Sequence, residues 1–286
     1  MENLDKFVHK GFIEQEYRFS EAYSYIDKYM SPDIYNRESP DAMAEINGHL
    51  TIWIMWMQGM ENAPEIVKKC YGSICRNKPD KYDIVLLTMK NISKYIKLPS
   101  YVMEKYDMGI ITATHLSDII RIEILGAYGG CWIDATVFCG NSIPEYMLSD
   151  MFFFKLESIL SDPVIKMSSW WLAANKENRM IHAARHVLLR YWEREEKLID
   201  YFLLHIIMSK IIDEDLLCQE IFRRIPFFNS KNAQVLVGNL GLDYSEKSWD
   251  IMKDASFIQK LSYKKRYIKG DIYNFYMALL DGKLDC

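Results

Sequence analysis

Two short, dense apolar segments flank a predicted helix in the first third of the chain. Residues 50–57 (LTIWIMWM) and 81–88 (KYDIVLLT) have the length and apolar content of buried strands. Between them, Asn62 is a capping candidate and Pro64 suits a first helical turn, which predicts a helix to about Cys75. Strand–helix–strand units of this kind build parallel sheets, so we expect an α/β fold.

A second unit of the same kind follows. Residues 112–128 have apolar side chains at helical spacing, and the segment ends at Gly129-Gly130, where glycine permits a tight turn. The pattern then predicts strands at 131–138, 151–157 and 166–174 and a mostly helical region at 177–225.

Composition indicates one large buried core. The 286 residues are 50% hydrophobic, which argues against disorder, and the net charge of -4 argues against nucleic-acid binding. No apolar run approaches the ~20 residues that cross a bilayer. We expect residues 1–48 to form an N-terminal helical extension and residues 49–286 to form the main domain.

The first ten residues and the cysteines bear on localisation. MENLDKFVHK is polar and charged, unlike a secretory signal. The six cysteines are therefore expected to be reduced thiols in a cytoplasmic protein, with the inner face of the membrane as a further location.

Charged residues interrupt the apolar second unit, and three of them could carry chemistry. Asp118 and Arg121 are three apart and share one face of the predicted helix, as a simple ion pair would. Asp134 lies within an apolar strand, where an unpaired carboxylate is costly. Its partner is Arg121, a metal ion or a ribose hydroxyl, and the residues by themselves leave these alternatives open.

The run H-L-S-D-I-I-R-x-E-I-L-x-x-Y-G-G-C-W-I-D-A-T-V at residues 115–137 resembles the core of bacterial capsular polysaccharide synthesis proteins. It is similar to the wider glycosyltransferase family 32-like group, whose core reads S-D-x-x-R followed by Y-G-G-x-Y/W-x-D-x-D, and to the glucosylating clostridial toxins. The resemblance touches most of residues 50–265, but only 115–137 is highly specific.

This resemblance implies a GT-A fold, in which a Rossmann-like, mostly parallel sheet flanked by helices binds a nucleotide-diphosphate sugar. The helical extension would precede it, and the C-terminal half would be largely helical. The implied activity is a retaining transfer of a hexose or N-acetylhexosamine, with a UDP-sugar preferred, to a glycan or lipid-linked oligosaccharide.

The resemblance also implies roles at matching positions. Trp56 matches an aromatic residue that stacks on the nucleotide base, with Trp53 as the competing candidate. Asp118 would bind ribose or sugar hydroxyls, Arg121 the donor sugar and leaving diphosphate, and Asp134 the ribose and a metal. These last three are the expected catalytic residues. The donor site is expected to include two further side chains, Gln58 and Lys260.

The second Asp of the D-x-D pattern is replaced by Thr136. A divalent cation, Mn²⁺ or Mg²⁺, is still expected, but a hydroxyl is a weaker ligand than a carboxylate, so strict dependence stays open. The metal ligands implied by the resemblance are Asp134, Thr136, Ser256 and Gln259.

Acceptor and membrane contacts are predicted from less specific features. The acceptor candidates are Trp170, Asn175 and His205. A basic run comprises Lys260, Lys264, Lys265, Arg266 and Lys269. It is interpreted as a solvated face, a diphosphate contact, or a peripheral contact with an anionic membrane.

Rival interpretations remain at this stage. Thr136 and Gln259 would suit a non-catalytic protein that binds nucleotide sugars. In an assembly subunit of a polysaccharide machine, Asp118, Arg121 and Asp134 would be purely structural. The toxin-like core also permits a host-directed effector.

Overall fold

The computed structural model describes residues 2–36, 39–148, 150–156, 163–264 and 273–285. The helices are α1 (Glu2–Tyr25), α2 (Glu65–Asn77), α3 (Ser100–Asp107), α4 (Ala113–Tyr128), α5 (Arg179–Arg194), α6 (Leu203–Glu214), α7 (Leu216–Arg224), α8 (Val235–Asn239), α9 (Glu246–Ala255) and α10 (Phe275–Leu280). The strands are β1 (Thr51–Met55), β2 (Asp83–Leu87), β3 (Gly130–Ile133), β4 (Val137–Cys139), β5 (Met151–Lys155), β6 (Met167–Ala174) and β7 (Ile258–Lys260).

The central sheet has five strands in the order β2-β1-β3-β6-β5. Strand β1 is parallel to β2 and β3, whereas β6 is antiparallel to β3 and β5, so β6 alone among these five runs in reverse. The α/β class with a mostly parallel central sheet is therefore confirmed. A second sheet joins β4 to β7 in antiparallel register.

The central strands are covered on both faces, which explains their continuous apolar sequences. Every residue of β1, β3 and β6 is buried. Two of the large indoles in the core donate their N–H groups to backbone carbonyls. Trp53 Nε1 donates to the carbonyl of Gly129 at 2.9 Å, and Trp171 Nε1 donates to the carbonyl of Met147 at 2.7 Å.

The predicted strand at 131–138 is divided in the structure. Strand β3 ends at Ile133, and a turn closed by a hydrogen bond from Val137 N to Asp134 O (3.0 Å) leads into β4. The chain leaves the central sheet here because β4 pairs with β7 instead. Asp134 thus lies at the carboxyl end of β3 and not inside a strand.

The N-terminal segment packs against the C-terminal helices. Helix α1 is followed by short 3-10 turns, and Phe19 meets Phe202 edge to face with ring centroids 5.4 Å apart. The Tyr23 hydroxyl donates to Asp213 at 3.0 Å. Helices α5 to α10 make the described C-terminal half largely helical, as expected.

Two properties bear on the environment of the protein. Among the described residues, no helix is both long enough and apolar enough to cross a bilayer. The cysteines described as free thiols are Cys70, Cys75, Cys131, Cys139 and Cys218.

We predict that Gly130→Ala destabilises the protein strongly. Gly130 has φ +94, and an added Cβ would lie 2.4 Å from the carbonyl oxygen of Gly48 and 2.5 Å from that of Thr51. Backbone strain and these contacts should lower the free energy of unfolding by at least about 2 kcal/mol in denaturant titrations. Gly241→Ala is the control, since its Cβ would have no neighbour within 4 Å. Equal unfolding midpoints for the two variants would contradict the prediction.

Candidate functional site

A cleft of about 620 Å³ opens at the carboxyl ends of β1 and β3, beside the N-terminus of α4. Ligands of open α/β sheets bind at this edge. Six residues predicted from the sequence line the cleft: Trp56, Gln58, Arg121, Asp134, Thr136 and Lys260. The structure therefore brings together side chains from widely separated parts of the chain.

Asp134 is the centre of the polar network. Its Oδ1 accepts hydrogen bonds from Arg121 Nη2 at 3.1 Å and from Trp132 Nε1 at 2.9 Å. Its Oδ2 lies 3.0 Å from Lys260 Nζ. Its backbone N–H donates to the carbonyl of Trp170 at 2.9 Å. Both carboxylate oxygens are thus held by nitrogen donors.

Arg121 binds two carboxylates at once. Its Nη1 donates to Asp118 Oδ1, while its Nη2 donates to Asp134. The side chain is buried, and its guanidinium carbon lies 4.9 Å from the centre of the Trp132 ring. Burial lowers the pKa of Arg121, but Asp118 and Asp134 raise it by more, so the guanidinium stays charged.

The charge of Asp134 is set by its cationic neighbours. Burial raises the pKa of this carboxyl, but Lys260 and Arg121 outweigh it and lower the pKa to about 2. Asp134 is therefore ionised at neutral pH. An ionised carboxylate at the floor of a cleft accepts hydrogen bonds from sugar or ribose hydroxyls.

Lys260 enters the site from the distant strand β7. Val137 pairs with Lys260 in the β4–β7 ladder, and Leu261 N donates to the carbonyl of Thr136 at 2.8 Å. These bonds fix the backbone of Lys260 beside the turn after β3. Its ammonium contacts both Asp134 and the hydroxyl of Thr136.

Trp56 and Trp53 occupy different environments, although both lie near the end of β1. Trp53 is fully buried in the core, whereas Trp56 is half-buried and lines the cleft. The Trp56 ring meets Tyr263 edge to face, with centroids 5.1 Å apart. Of Trp53 and Trp56, only Trp56 therefore lines the cleft.

Two predicted metal ligands do not reach the cleft, which corrects the expectation from the sequence. Neighbouring residues of a strand point to opposite sides, so Lys260 faces the cleft and Gln259 faces the protein interior. Gln259 is fully buried, accepting from Leu236 N at 2.9 Å and donating to the carbonyl of Ser256 at 2.7 Å. The Ser256 hydroxyl donates to the carbonyl of Ile258 at 2.7 Å.

The remaining residues do not fit a divalent cation. Both oxygens of Asp134 have nitrogen donors, and the hydroxyl of Thr136 accepts from Lys260. Over the described parts of the chain, no cluster of three or more His, Cys, Asp or Glu side chains is arranged to bind a metal. An ammonium group lies where the sequence pattern places the cation.

The predicted acceptor residues lie outside the cleft. The ring of Trp170 is buried and stacks on Phe154 at a centroid distance of 4.5 Å. Ala174 pairs with Gly130, the first residue of β3, and Asn175 follows Ala174. Asp134 follows the last residue of β3, so Asn175 lies at the opposite end of the sheet from Asp134. The acceptor role of these two residues does not agree with the structure.

His205 lies behind the guanidinium of Arg121. His205 lies within helix α6. Asp200 lies before that helix, and its side chain accepts a hydrogen bond from Phe202 N at 2.8 Å. The Nε2 atom of His205 is 3.2 Å from Ser169 Oγ, which is 3.4 Å from Arg121 Nη1. This contact supports the Arg121 network and not an exposed acceptor surface.

Sequence reasoning overlooked three residues of the site: Trp132, Ser169 and Tyr263. Trp132 is two residues before Asp134, and the alternation of a strand would have placed both on one side. Tyr263 lies just beyond Lys260 in the same segment. No local signal connects Ser169 to Arg121, because that contact depends on the antiparallel placement of β6.

The basic run is only partly described. Lys264 lines the cleft along with Lys260. Lys265, Arg266 and Lys269 lie outside the described residues.

We predict that the buried His205 causes the free energy of unfolding to decrease as the pH is lowered. Burial lowers the pKa of His205 from 6.5 to about 4. Below pH 6.5 the histidine is protonated in the unfolded chain but stays neutral in the native state. The free energy of unfolding therefore falls until the pH reaches the native pKa. At about pH 5 the loss should be roughly 2 kcal/mol relative to neutral pH.

Denaturant titrations of His205→Gln should lack this component of the pH dependence. His49→Gln, at an exposed position, is the matched control and should behave as the unmodified protein does. An unchanged pH profile in His205→Gln would contradict the prediction.

The chain is similar to known proteins over different parts of its length. The chain is 27% identical over 124 residues to the O-glycosyltransferase PaGT of Phomopsis amygdali, over 38% of this chain and 30% of that protein. The chain thus spans less than a third of that relative. The solved PaToxG Glycosyltransferase aligns with 73% of this chain and 84% of its own, at 12% identity and a TM-score of 0.40. Residues 5–279 match the model of the capsular polysaccharide synthesis proteins, and the chain belongs to that family.

Proposed function

We propose that this protein is a retaining glycosyltransferase that moves a sugar from a nucleotide-diphosphate sugar to a saccharide acceptor. The observation that carries the proposal is the Asp134 network with Arg121 and Lys260, at the floor of a cleft beside Trp56. Family membership and the similarity to an O-glycosyltransferase support it.

The cleft offers a complementary group to each part of such a donor. The nucleotide base stacks on Trp56, an aromatic contact worth on the order of 1–3 kcal/mol. Ribose or sugar hydroxyls donate to Asp134 Oδ2, which has Lys260 as one partner and a second lone pair to accept with. The diphosphate lies between Lys260 and the N-terminus of α4, where Ala113 and Thr114 line the cleft. Free backbone N–H groups and the helix dipole favour anions at that position.

Catalysis rests on positioning and on the charge of the leaving group. The bond between the anomeric carbon and the phosphate oxygen breaks, and its electron pair goes to the diphosphate. Lys260 stabilises that developing charge. The acceptor hydroxyl forms the new bond from the same face and gives its proton to a phosphate oxygen. Arg121 is a positioning residue here, because it holds Asp118 and Asp134 in place.

The environment of Asp134 supports direct same-face transfer. Within the described chain, Asp134 is the carboxylate that lines the cleft, and both its oxygens are engaged by Arg121, Trp132 and Lys260. A carboxylate held in this way is a poor nucleophile. Isolation of a covalent glycosyl adduct on Asp134 would contradict this mechanism.

The donor and acceptor are proposed by class. A UDP-sugar carrying a hexose or N-acetylhexosamine is the preferred donor. The acceptor is a glycan or lipid-linked oligosaccharide of surface or capsular polysaccharide synthesis, used at the cytoplasmic face of the membrane. Binding without turnover would instead favour the non-catalytic interpretation that Thr136 suggests.

We predict that one nucleotide of a panel of UDP, GDP and CMP raises the melting temperature. A ligand at about 100 times its dissociation constant adds roughly 2.7 kcal/mol to stability. Trp56→Ala should weaken binding by about 5- to 150-fold, the equivalent of a lost base stack. Tyr17→Ala, at an exposed tyrosine of α1, is the control and should bind as the unmodified protein does.

The same panel, repeated with the corresponding nucleotide sugars, decides between the two functions. Release of UDP or GDP with transfer to a glycan or to water supports the transferase, and Asp134→Asn should abolish this release while remaining folded. If no nucleotide shifts the melting temperature with or without Mn²⁺, the proposed function is wrong.

A further inference from the structure

The ammonium of Lys260 occupies a specific place in the site. The sequence pattern assigns the donor's metal to the carboxylate of Asp134 and to the side chain at position 136. Lys260 Nζ is 3.0 Å from Asp134 Oδ2 and also contacts the hydroxyl of Thr136. One cationic group from β7 therefore bridges the two positions that a divalent cation would bridge.

The position of Lys260 is fixed by the fold. Strand β7 is tied to β4 by ladder pairing from Val137 to Cys139, by the bond from Leu261 N to the carbonyl of Thr136, and by Gly140 N donating to the carbonyl of Phe257 at 2.7 Å. The adjacent Gln259 is buried and hydrogen-bonded on the opposite side of the strand. This anchoring leaves the Lys260 side chain directed at the turn after β3.

The side chains around Lys260 Nζ also suit an ammonium group better than a metal ion. Asp134 Oδ1 is taken by Arg121 and Trp132, and Oδ2 by Lys260. Position 136 offers a neutral hydroxyl, which is a good acceptor for an ammonium and a poor ligand for Mn²⁺. A divalent cation would have to displace a fixed positive charge to reach the carboxylate.

We infer that Lys260 replaces the divalent cation, so that this protein binds the diphosphate of its donor without a metal ion. The inference rests on the proposed function and deepens it. Lys260 then supplies, as a permanent part of the chain, the positive charge that a D-x-D enzyme takes from a bound metal. The neutral Thr136 is consistent with this replacement. A second carboxylate at position 136 would have to share the single positive charge of Lys260 with Asp134.

The test measures binding of UDP and of inorganic pyrophosphate by calorimetry, in excess EDTA and in excess MnCl₂. Pyrophosphate is included because it is independent of the base. The unmodified protein should bind with dissociation constants that differ by less than about threefold between the two conditions. Lys260→Met should weaken binding in EDTA by about 10- to 100-fold, the effect of losing a charge-assisted bond.

If Lys260→Met is unstable, the comparison of the unmodified protein in EDTA and in MnCl₂ still tests the inference, and a second variant tests it from the opposite direction. Thr136→Asp combined with Lys260→Met rebuilds a two-carboxylate site, and Mn²⁺ should raise its affinity for pyrophosphate at least about tenfold. Electron paramagnetic resonance should show Mn²⁺ bound to this double variant and not to the unmodified protein. Lys247→Met, at an exposed position on α9, controls for loss of a lysine elsewhere.

The outcomes separate the inference from the proposed function. Binding by the unmodified protein that requires Mn²⁺, or unchanged binding by Lys260→Met in EDTA, overturns the inference and leaves the proposed function standing. Failure of pyrophosphate and of every nucleotide to bind in either condition overturns both.

Discussion

The carboxylate of Asp134 connects three separate elements of the fold. It is bound by Arg121 from α4, by Trp132 from β3 and by Lys260 from β7. The buried charged member of this network is Arg121, and removing one partner of a buried charge typically costs about 3–5 kcal/mol. The same bonds therefore hold the two sheets together and arrange the groups that face the cleft. Stability and the proposed recognition of a ligand would both depend on this single network.

The surrounding structure positions this network through the backbone. Gly130, the first residue of β3, lets the chain pass close to Gly48 and Thr51, and that close approach aligns β3 with β1. Strand β3 then ends one residue before Asp134, so the carboxylate lies at the sheet edge instead of within the core. Helix α4 directly precedes β3, so the N-terminus of the helix lies near the carboxyl end of the strand. The N-terminus and the polar residues of α4 therefore line the same cleft.

Local features of the site were predictable from the sequence, and contacts between distant segments were not. The spacing of Asp118 and Arg121 on one helix turn predicts their ion pair, and the apolar pattern predicts the parallel strands. The partnership of Lys260 with Thr136 spans 124 positions, and nothing local encodes it. The resemblance assigns Gln259 to the metal and Lys260 to the donor, but the two are adjacent in β7 and therefore point to opposite sides of that strand. The roles of the individual site residues and of a metal stay predictions.

The pairing of β4 with β7 has a consequence for the order in which the molecule folds. Closing so long a loop is entropically slow, whereas β1, β2 and β3 join through nearby helices. A folding chain should thus form its central sheet before strand β7 docks. The species that precedes docking would possess the indole-filled core but lack the ammonium beside Asp134, leaving that carboxylate short of one partner. Recognition of an anionic ligand would be the last property the chain acquires, and the docking of one three-residue strand would confer it.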